Sequence, residues 1–445
     1  MNAPARRPRL GLAAATAALG LATFAAVTAR AAGEAPADTS LHQFLGTLSD
    51  STDRYFGLSA APLDTIGLGE EQFPEEGRRP TFGAVPTFAF SRVDGSTFGA
   101  AAHVEGLRRY GRLQGSLAYA VGSEEWLGGG DYRTRLRRHG GRWTLEAWGG
   151  RRLAAMNRDY RSPFLDGARA LVDGSDRTHY LRQDGWEAGL ERETDAWRLG
   201  LGFRDQLESP LETQATWNLF KHDLAVKPNL PAEPGRAREA TVSAGLRFPA
   251  VPLRLEADYW SAGPALASDF AYDRVRVAVG GDLTLARWAS LVPQLVWGVL
   301  HGDRTPQGSF YLGAGPTLVT VTRDRLGGSS FGIAKLELIG AGDILKALHV
   351  RHPQSLFFQG GAYAATGAVA GRDPYGGPAR PGEDWPERTE WLSEAGISLY
   401  YNPGLFGTLV RMSEGWPLGS TDRRERFVFA LTHPLDLLRH ETEEE

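Results

Sequence analysis

The feature that most constrains this chain is an alternation of apolar and polar side chains, repeated in runs of about ten residues. In residues 197–204, tryptophan, leucine and phenylalanine alternate with arginine and glycine. In residues 253–259, apolar side chains alternate with Arg254, Glu256 and Asp258. Successive side chains of a β-strand point to opposite faces, so this period of two predicts strands with one apolar and one polar face. Because a dry core does not tolerate so many charges, we expect the polar face to meet water.

Similar runs occupy much of the chain, including residues 112–121, 240–248, 275–279, 333–338, 395–401 and 427–431. A soluble β-sandwich also alternates, but its core face is enriched in Val, Ile and Leu and its strands are usually shorter. The runs number about sixteen, which suits the even strand counts of closed bacterial barrels. We therefore predict an all-β fold, a transmembrane antiparallel β-barrel of about 16 strands in residues 81–434.

Aromatic residues near the ends of the runs favour the membrane-spanning barrel over the sandwich. Girdles of Trp and Tyr mark both edges of the hydrocarbon layer in such barrels. The candidate girdle residues are Tyr119, Trp143, Trp148, Trp186, Trp197, Trp260 and Trp297. Ordinary aromatic packing in a core or hairpin is the alternative explanation.

The connections between the runs differ in length. Residues 151–184, 221–236 and 371–390 form long connections, and the last is too rich in proline and glycine for regular structure. Long connections of bacterial barrels are extracellular and short turns are periplasmic. We therefore expect tight turns such as Val93–Ser96 to be periplasmic, and a short helical piece at Asp343–His349 to lie in a turn or loop.

The N-terminus predicts export. Arg6, Arg7 and Arg9 precede an apolar run at residues 10–27, and Ala29-Arg30-Ala31 has the small-x-small pattern of a cleavage site. We interpret residues 1–31 as a signal peptide; the alternative is a single anchoring helix, for which the alanine-rich run is weakly hydrophobic. The chain has no Cys, so disulfides and thiolate chemistry are excluded. The expected location is the outer membrane of a Gram-negative-type bacterium.

Two further segments flank the barrel. Residues 32–80 form an N-terminal periplasmic or plug segment, in which Leu41, Phe44, Leu45 and Leu48 follow helical spacing behind the capping residues 38–40. This short N-terminal helical segment either plugs the periplasmic mouth or is a partly ordered tail. Residues 435–445 form an acidic C-terminal tail.

Several function classes find no support in the sequence. The formal net charge is −4, without the clustered basic face that nucleic-acid binding needs. The best catalytic motif, G-x-S-x-G at residues 328–332, requires a strand-to-helix elbow, whereas residues 333–338 continue as a strand. His349 and His352 lack further metal ligands, and the acids Asp166, Asp173 and Asp176 lack calcium-loop spacing. We predict no catalytic, cofactor or metal site, and no enzyme.

The predicted site is the lumen. The candidate lumen-lining residues are Arg254, Glu256, Asp258, Arg274, Arg276, Lys335 and Glu337, which alternation points away from the aliphatic face. They line a polar passage or a ligand-lined cavity, or they form cross-strand ion pairs that fill the lumen. A pore, transport or assembly-type barrel, a surface-displayed structural or binding barrel, and an outer-membrane hydrolase all stay open. The expected partners are outer-membrane lipids, barrel-assembly and periplasmic chaperone machinery during biogenesis, and a small polar solute or ion.

Four segments are similar to a known family. FSRVDGSTFG at residues 90–99 resembles the opening of barrels in the bacterial surface antigen superfamily, which includes the assembly factors BamA and TamA. Residues 174–193, 312–338 and 394–404 extend the resemblance. It implies a sixteen-stranded outer-membrane barrel, with an inward loop within residues 312–338 and Glu337 near the centre of the strand that follows the loop.

The sequence also departs from this family. The arginine-glycine-aromatic tip of the family's inward loop has no counterpart in residues 319–327, so the resemblance does not imply translocase activity. Residues 32–80 are too few for a POTRA module, and the chain ends in an acidic run rather than a terminal aromatic residue.

Overall fold

The computed structural model describes residues 81–105, 111–138, 141–157, 171, 178–215, 218, 228–248, 251–313, 317–322, 325–351, 357–380, 382, 385–387, 391–402, 410–419 and 426–431. The predicted signal peptide, the 32–80 segment with its helix, the acidic tail, the three loop acids and His352 lie outside these residues. Within the described residues, no helix combines the length and the apolar character needed to cross a membrane.

The described residues form nineteen strands, one short α-helix and two 3₁₀ turns. The strands are β1 Thr81–Ser91, β2 Gly95–Glu105, β3 Arg112–Ala120, β4 Glu125–Arg138, β5 Gly141–Ala155, β6 Tyr180–Glu193, β7 Trp197–Pro210, β8 Gly235–Phe248, β9 Leu253–Ala262, β10 Tyr272–Gly281, β11 Leu283–Ala286, β12 Ala289–Gly302, β13 Phe310–Leu312, β14 Leu326–Gly328, β15 Ser330–Asp343, β16 Phe357–Ala370, β17 Leu392–Asn402, β18 Val410–Leu418 and β19 Arg426–Leu431. Helix α1 is Ile344–Ala347, within the predicted helical piece.

Every long strand pairs antiparallel with the next long strand along the chain. The pairing runs from β1 to β10, continues through β12, β15 and β16, and ends at β19. The short strand β11 pairs with the start of β12, while β13 and β14 form a separate hairpin. Sixteen strands therefore make one antiparallel meander, which confirms the predicted all-β barrel and its strand number.

The two faces of the sheet differ as the alternation predicts. On the outer face, Leu117, Leu199, Leu201, Leu336 and Ile397 are all exposed. On the inner face, many of the buried side chains are polar or charged. Such a band of exposed aliphatic side chains is the surface that a membrane-spanning barrel presents to lipid.

Aromatic pairs lie on the outer face, one at the ends of β3 and β4 and one in the middle of β6 and β7. The rings of Tyr119 and Trp126 are 5.2 Å apart, and those of Trp186 and Phe203 are 5.5 Å apart. The girdle prediction is wrong for Trp148 and Trp260, which are buried on the inner face. Each lies beneath an arginine, with the guanidinium carbons of Arg152 and Arg274 at 4.0 and 4.7 Å from the ring centroids. The positions of these two tryptophans are therefore explained by packing against arginines in the lumen and not by the membrane interface.

The long connections share one end of the barrel, which we call the loop end. Because strand direction alternates, the β1–β2 turn at residues 92–94 also lies at the loop end. The backbone oxygen of Arg92 accepts hydrogen bonds from the amides of Gln214 and Ala215, in the β7–β8 connection, at 3.0 and 2.9 Å. The prediction that the Val93–Ser96 turn lies on the side opposite the long connections is therefore wrong, since strand parity, not turn length, fixes the end.

The exposed outer face leads to a stability prediction. Replacing Leu201, which is 55% exposed on the outer face, with Arg should lower the free energy of unfolding from lipid vesicles by about 2–4 kcal/mol, because the charge must enter hydrocarbon. Gly202→Ser is the control, since a side chain there points inward and meets Thr241 at an ordinary 3.5 Å. Equal losses for both variants in denaturant titrations would show that this face does not meet lipid.

Candidate functional site in the barrel lumen

Strands β9, β10 and β15 carry all seven residues singled out in the sequence. Arg254 is half-buried, whereas Glu256, Asp258, Arg274, Arg276, Lys335 and Glu337 are buried on the inner face. Arg276 and Asp258 lie across from each other in the β9–β10 register, with Nη1 3.6 Å from Oδ2. These charges therefore face the lumen, but little water reaches six of the seven.

A loop that folds into the barrel accounts for this burial. The described residues between β12 and β15 (303–313, 317–322 and 325–329) comprise a 3₁₀ turn at Pro306–Gly308, the β13–β14 hairpin, and a segment with Leu318, Val319 and Val321 buried. We call them the inward loop. Their apolar side chains form one cluster with inner-face residues of β10, β12, β15 and β16. On this side the lumen is a packed core.

Phe310 fixes the inward loop against the barrel wall. Its ring stacks on Phe331 of β15 with centroids 4.5 Å apart, and the guanidinium carbon of Arg274 lies 4.1 Å from its centroid. A Cβ at Gly298 of β12 would come within 2.5 Å of the Phe310 ring, so glycine provides the space for it. Arg274 thus packs on the loop through cation–π contact rather than lining an open passage.

Glu394 of β17 anchors the loop further along the chain. Its carboxylate accepts hydrogen bonds from the backbone amides of Val319 and Thr320, both at 2.8 Å, and from the Thr320 hydroxyl at 2.7 Å. Glu394 is completely buried. Hydrogen bonds to an ionised acceptor are about twice as strong as neutral ones, so this carboxylate is a specific attachment point, which we call the Glu394 latch.

Glu337 of β15 is the centre of a second buried cluster. Its carboxylate is 3.2 Å from Lys335 Nζ and 3.2 Å from Arg411 Nη2 of β18, and it accepts a 2.6 Å hydrogen bond from the Tyr400 hydroxyl of β17. The Arg411 side chain also donates to Ser398 at 3.2 Å. Contacts that join β15 to β17 and β18 bypass the backbone ladder, so the cluster stabilises the curvature of this wall.

The opposite wall is different. On the inner face of β4–β7, Glu146 pairs with Arg133 at 2.9 Å and its side chain is 55% exposed. Glu187 pairs with Arg152 at 3.0 Å and is 38% exposed, and Glu191 faces Arg198 at 3.6 Å and is 31% exposed. We call this inner face of β4–β7 the open wall, because water reaches its charges.

The loop end is held together by polar contacts between connections. Arg92 in the β1–β2 turn donates to the carbonyl oxygen of Thr178 at 2.6 Å, and Arg182 of β6 pairs with Asp94 of the same turn at 2.6 Å. The amide of Asn229 donates to the carbonyl oxygen of Leu211 at 2.8 Å. These contacts join β1–β2 to β6 and order the connections around the mouth.

Sequence reasoning did not single out the open wall or Glu394. The acids Glu146, Glu187, Glu191 and Glu394 occupy the polar phase of alternating runs, so the same signal could have found them. The sequence does not show which wall the inward loop covers, and that placement decides which charges remain in contact with water.

The G-x-S-x-G motif is not a nucleophile elbow, since Ser330 begins β15. Among the described residues, no group of three or more His, Asp or Glu could hold a metal.

Comparisons with known proteins give no sequence relative. No family matches the chain, and no curated protein is similar to it. Among solved structures, it is similar to BamA from Haemophilus ducreyi lacking POTRA domains 1–3, at 11% identity and a TM-score of 0.48, over 79% of this chain and 70% of that one.

Two other solved structures are similar over most of the chain. CdiB from Escherichia coli matches at 10% identity and a TM-score of 0.45, over 92% of this chain and 73% of that one. The outer membrane protein OpdK from Pseudomonas aeruginosa matches at 12% identity and a TM-score of 0.36, over 79% of this chain and 97% of that one. Because these identities and TM-scores are low, the function proposed below is argued from the chain's own residues.

Proposed function

We propose that this chain is a non-enzymatic outer-membrane channel of a Gram-negative-type bacterium, which passes ions or small polar solutes along the open wall. The observation that carries the proposal is the contrast between the two walls. The carboxylates of Glu146, Glu187 and Glu191 on β5 and β6 are wet. Those of Glu256 and Asp258 on β9 and Glu337 on β15 are buried on the wall that the inward loop covers. Water and charge together are what a permeation pathway requires.

The open wall would act as a charged but balanced surface. Each of Glu146, Glu187 and Glu191 faces an arginine across neighbouring strands. Paired rows of opposite charge stabilise hydrated ions of either sign, so we expect weak selectivity. The inward loop, anchored by the Glu394 latch, would set the width of the passage.

The proposal is tested by conductance of the refolded full chain in planar bilayers. Discrete current steps are expected. A folded barrel without conductance would contradict the channel and favour a surface-displayed structural or binding barrel, for which the packed half-lumen and the ordered loop end are the supporting observations.

Selectivity gives a sharper prediction. The variant Glu146→Gln/Glu187→Gln/Glu191→Gln leaves the facing arginines in excess, so the reversal potential under a salt gradient should shift toward anion selectivity. Asp273→Asn is the control, because Asp273 is exposed and bonds the Tyr259 hydroxyl on the outer face. If the triple variant conducts with an unchanged reversal potential, permeation does not follow the open wall.

The remaining assignments are part of the same proposal. The loop end would be extracellular, and residues 1–31 would be a signal peptide removed on export, which the mass of the mature protein checks. Outer-membrane lipids, and barrel-assembly and periplasmic chaperone machinery during biogenesis, are the proposed partners.

A further inference from the structure

The outer face carries an unusual arginine at the end opposite the loop end. Arg192 of β6 lies between Trp143 of β5 and Trp197 of β7, with its guanidinium carbon 5.2 Å from each ring centroid. The three residues lie side by side, because Arg192 pairs with Trp143 in one register and sits beside Trp197 in the next hairpin. We call them the Trp-Arg-Trp cluster.

Strand alternation places the cluster on the lipid side. Arg192 shares its face of β6 with Leu190, and Trp197 shares its face of β7 with Leu199, and both leucines are exposed. The neighbouring Glu193 points the other way, into the lumen, where it pairs with Arg142 at 2.6 Å and Arg247 at 2.9 Å. The cluster therefore lies at the edge of the exposed aliphatic band.

The charge of Arg192 has no carboxylate partner among the described residues, in contrast to the outward-facing Arg236 and Arg238 at the loop end, which share Asp205 at 2.6 and 3.0 Å. The rings of Trp143 and Trp197 hold its guanidinium through cation–π contact. A guanidinium presents paired N–H donors that match the oxygens of a phosphate. Tryptophan and arginine at this depth meet the headgroup layer.

We propose that the Trp-Arg-Trp cluster is a binding site for the phosphodiester of one phospholipid in the leaflet opposite the loop end. The acyl chains of that lipid would lie on the exposed leucines above the cluster, and its phosphate would accept hydrogen bonds from Arg192. Charge complementarity and continuity with the lipid-facing band select this occupant over a protein partner. The site requires a membrane-embedded barrel but is independent of whether the lumen conducts.

The test is native mass spectrometry of the full chain in detergent, titrated with phosphatidylglycerol. The wild type should retain one lipid more tightly than the rest, and Arg192→Gln should weaken it by about tenfold, the loss expected for a charge-assisted hydrogen bond. Arg192→Lys keeps the charge but loses the planar fork, so an intermediate affinity is expected. The matched control is Arg198→Gln, which removes an arginine from the inner face of β7.

Each outcome decides the proposal. If Arg192→Gln and Arg198→Gln retain the lipid as the wild type does, the site is overturned. If Arg192→Gln lowers only the unfolding midpoint and leaves lipid affinity unchanged, the arginine serves the aromatic stack alone, and the proposal also fails. Heat-modifiable migration on gels shows that each variant is folded, and Arg192→Lys keeps the test decisive should the glutamine variant not fold.

Discussion

Replacing Glu337 with Gln is expected to lower the free energy of unfolding by about 3–5 kcal/mol, the range for breaking a buried ion pair from one side. The carboxylate is completely buried and lies 3.2 Å from both Lys335 and Arg411. Removing its charge leaves two cations in a packed environment, where water cannot replace the lost partner. Denaturant unfolding of the refolded barrel in lipid vesicles measures the effect.

The control for this prediction is Glu146→Gln. Glu146 also pairs with an arginine on the inner face, but its side chain is 55% exposed, so the loss should be about 0–1 kcal/mol. A second variant, Glu337→Gln with Lys335→Met, removes one of the two cations and should recover part of the stability. Equal, small losses for Glu337→Gln and Glu146→Gln would show that the Glu337 cluster contributes little.

The contrast between these two glutamates also shows how far the sequence could lead. Period-two alternation predicts Glu337 on the polar face and, applied to residues 141–155, would also have placed Glu146 there, because side-chain direction in a strand follows from local geometry alone. For the same reason, the strand number and the outward leucines such as Leu201 could be predicted. Burial is different, since it depends on what lies across the lumen.

The inward loop is the clearest example. Nothing in the spacing of residues 303–329 shows that Phe310 reaches Arg274, or that Val319 and Thr320 reach Glu394. These contacts join positions far apart in sequence, and the loop could have packed on either wall. Glu256 and Arg276, which alternation predicts to line the lumen, are buried, so replacing them should cost stability.

The structure thus gives the barrel two unlike walls. The wall from β9 to β18 holds a packed core and buried ion clusters, which resist deformation because dense interiors have few alternative arrangements. The wall from β4 to β7 has exposed charges on its inner face. In such a channel the inward loop packs on the rigid wall and faces the open wall across the passage. The width of the passage therefore depends on how strongly the inward loop is attached to the rigid wall.

Breaking the Glu394 latch should therefore release the loop. Glu394→Ala removes all three hydrogen bonds to Val319 and Thr320, at a cost on the order of 3 kcal/mol or more for charge-assisted bonds, which shifts the docked-to-released equilibrium on the order of 100-fold. Because the chain has no Cys, a single Val321→Cys in the buried part of the loop reports this release through its labelling rate with a water-soluble maleimide.

Labelling of Val321→Cys should be slow in the otherwise unchanged barrel, since Val321 is 3% exposed, and on the order of 100-fold faster with Glu394→Ala. Thr320→Val removes only the hydroxyl bond and should accelerate labelling much less, which separates the latch from a general loosening of the loop. In the channel, Glu394→Ala should also raise single-channel conductance. Equal labelling rates with and without Glu394 would mean that apolar packing of Phe310 and Leu318 alone holds the loop, and the latch would then have no part in setting the passage.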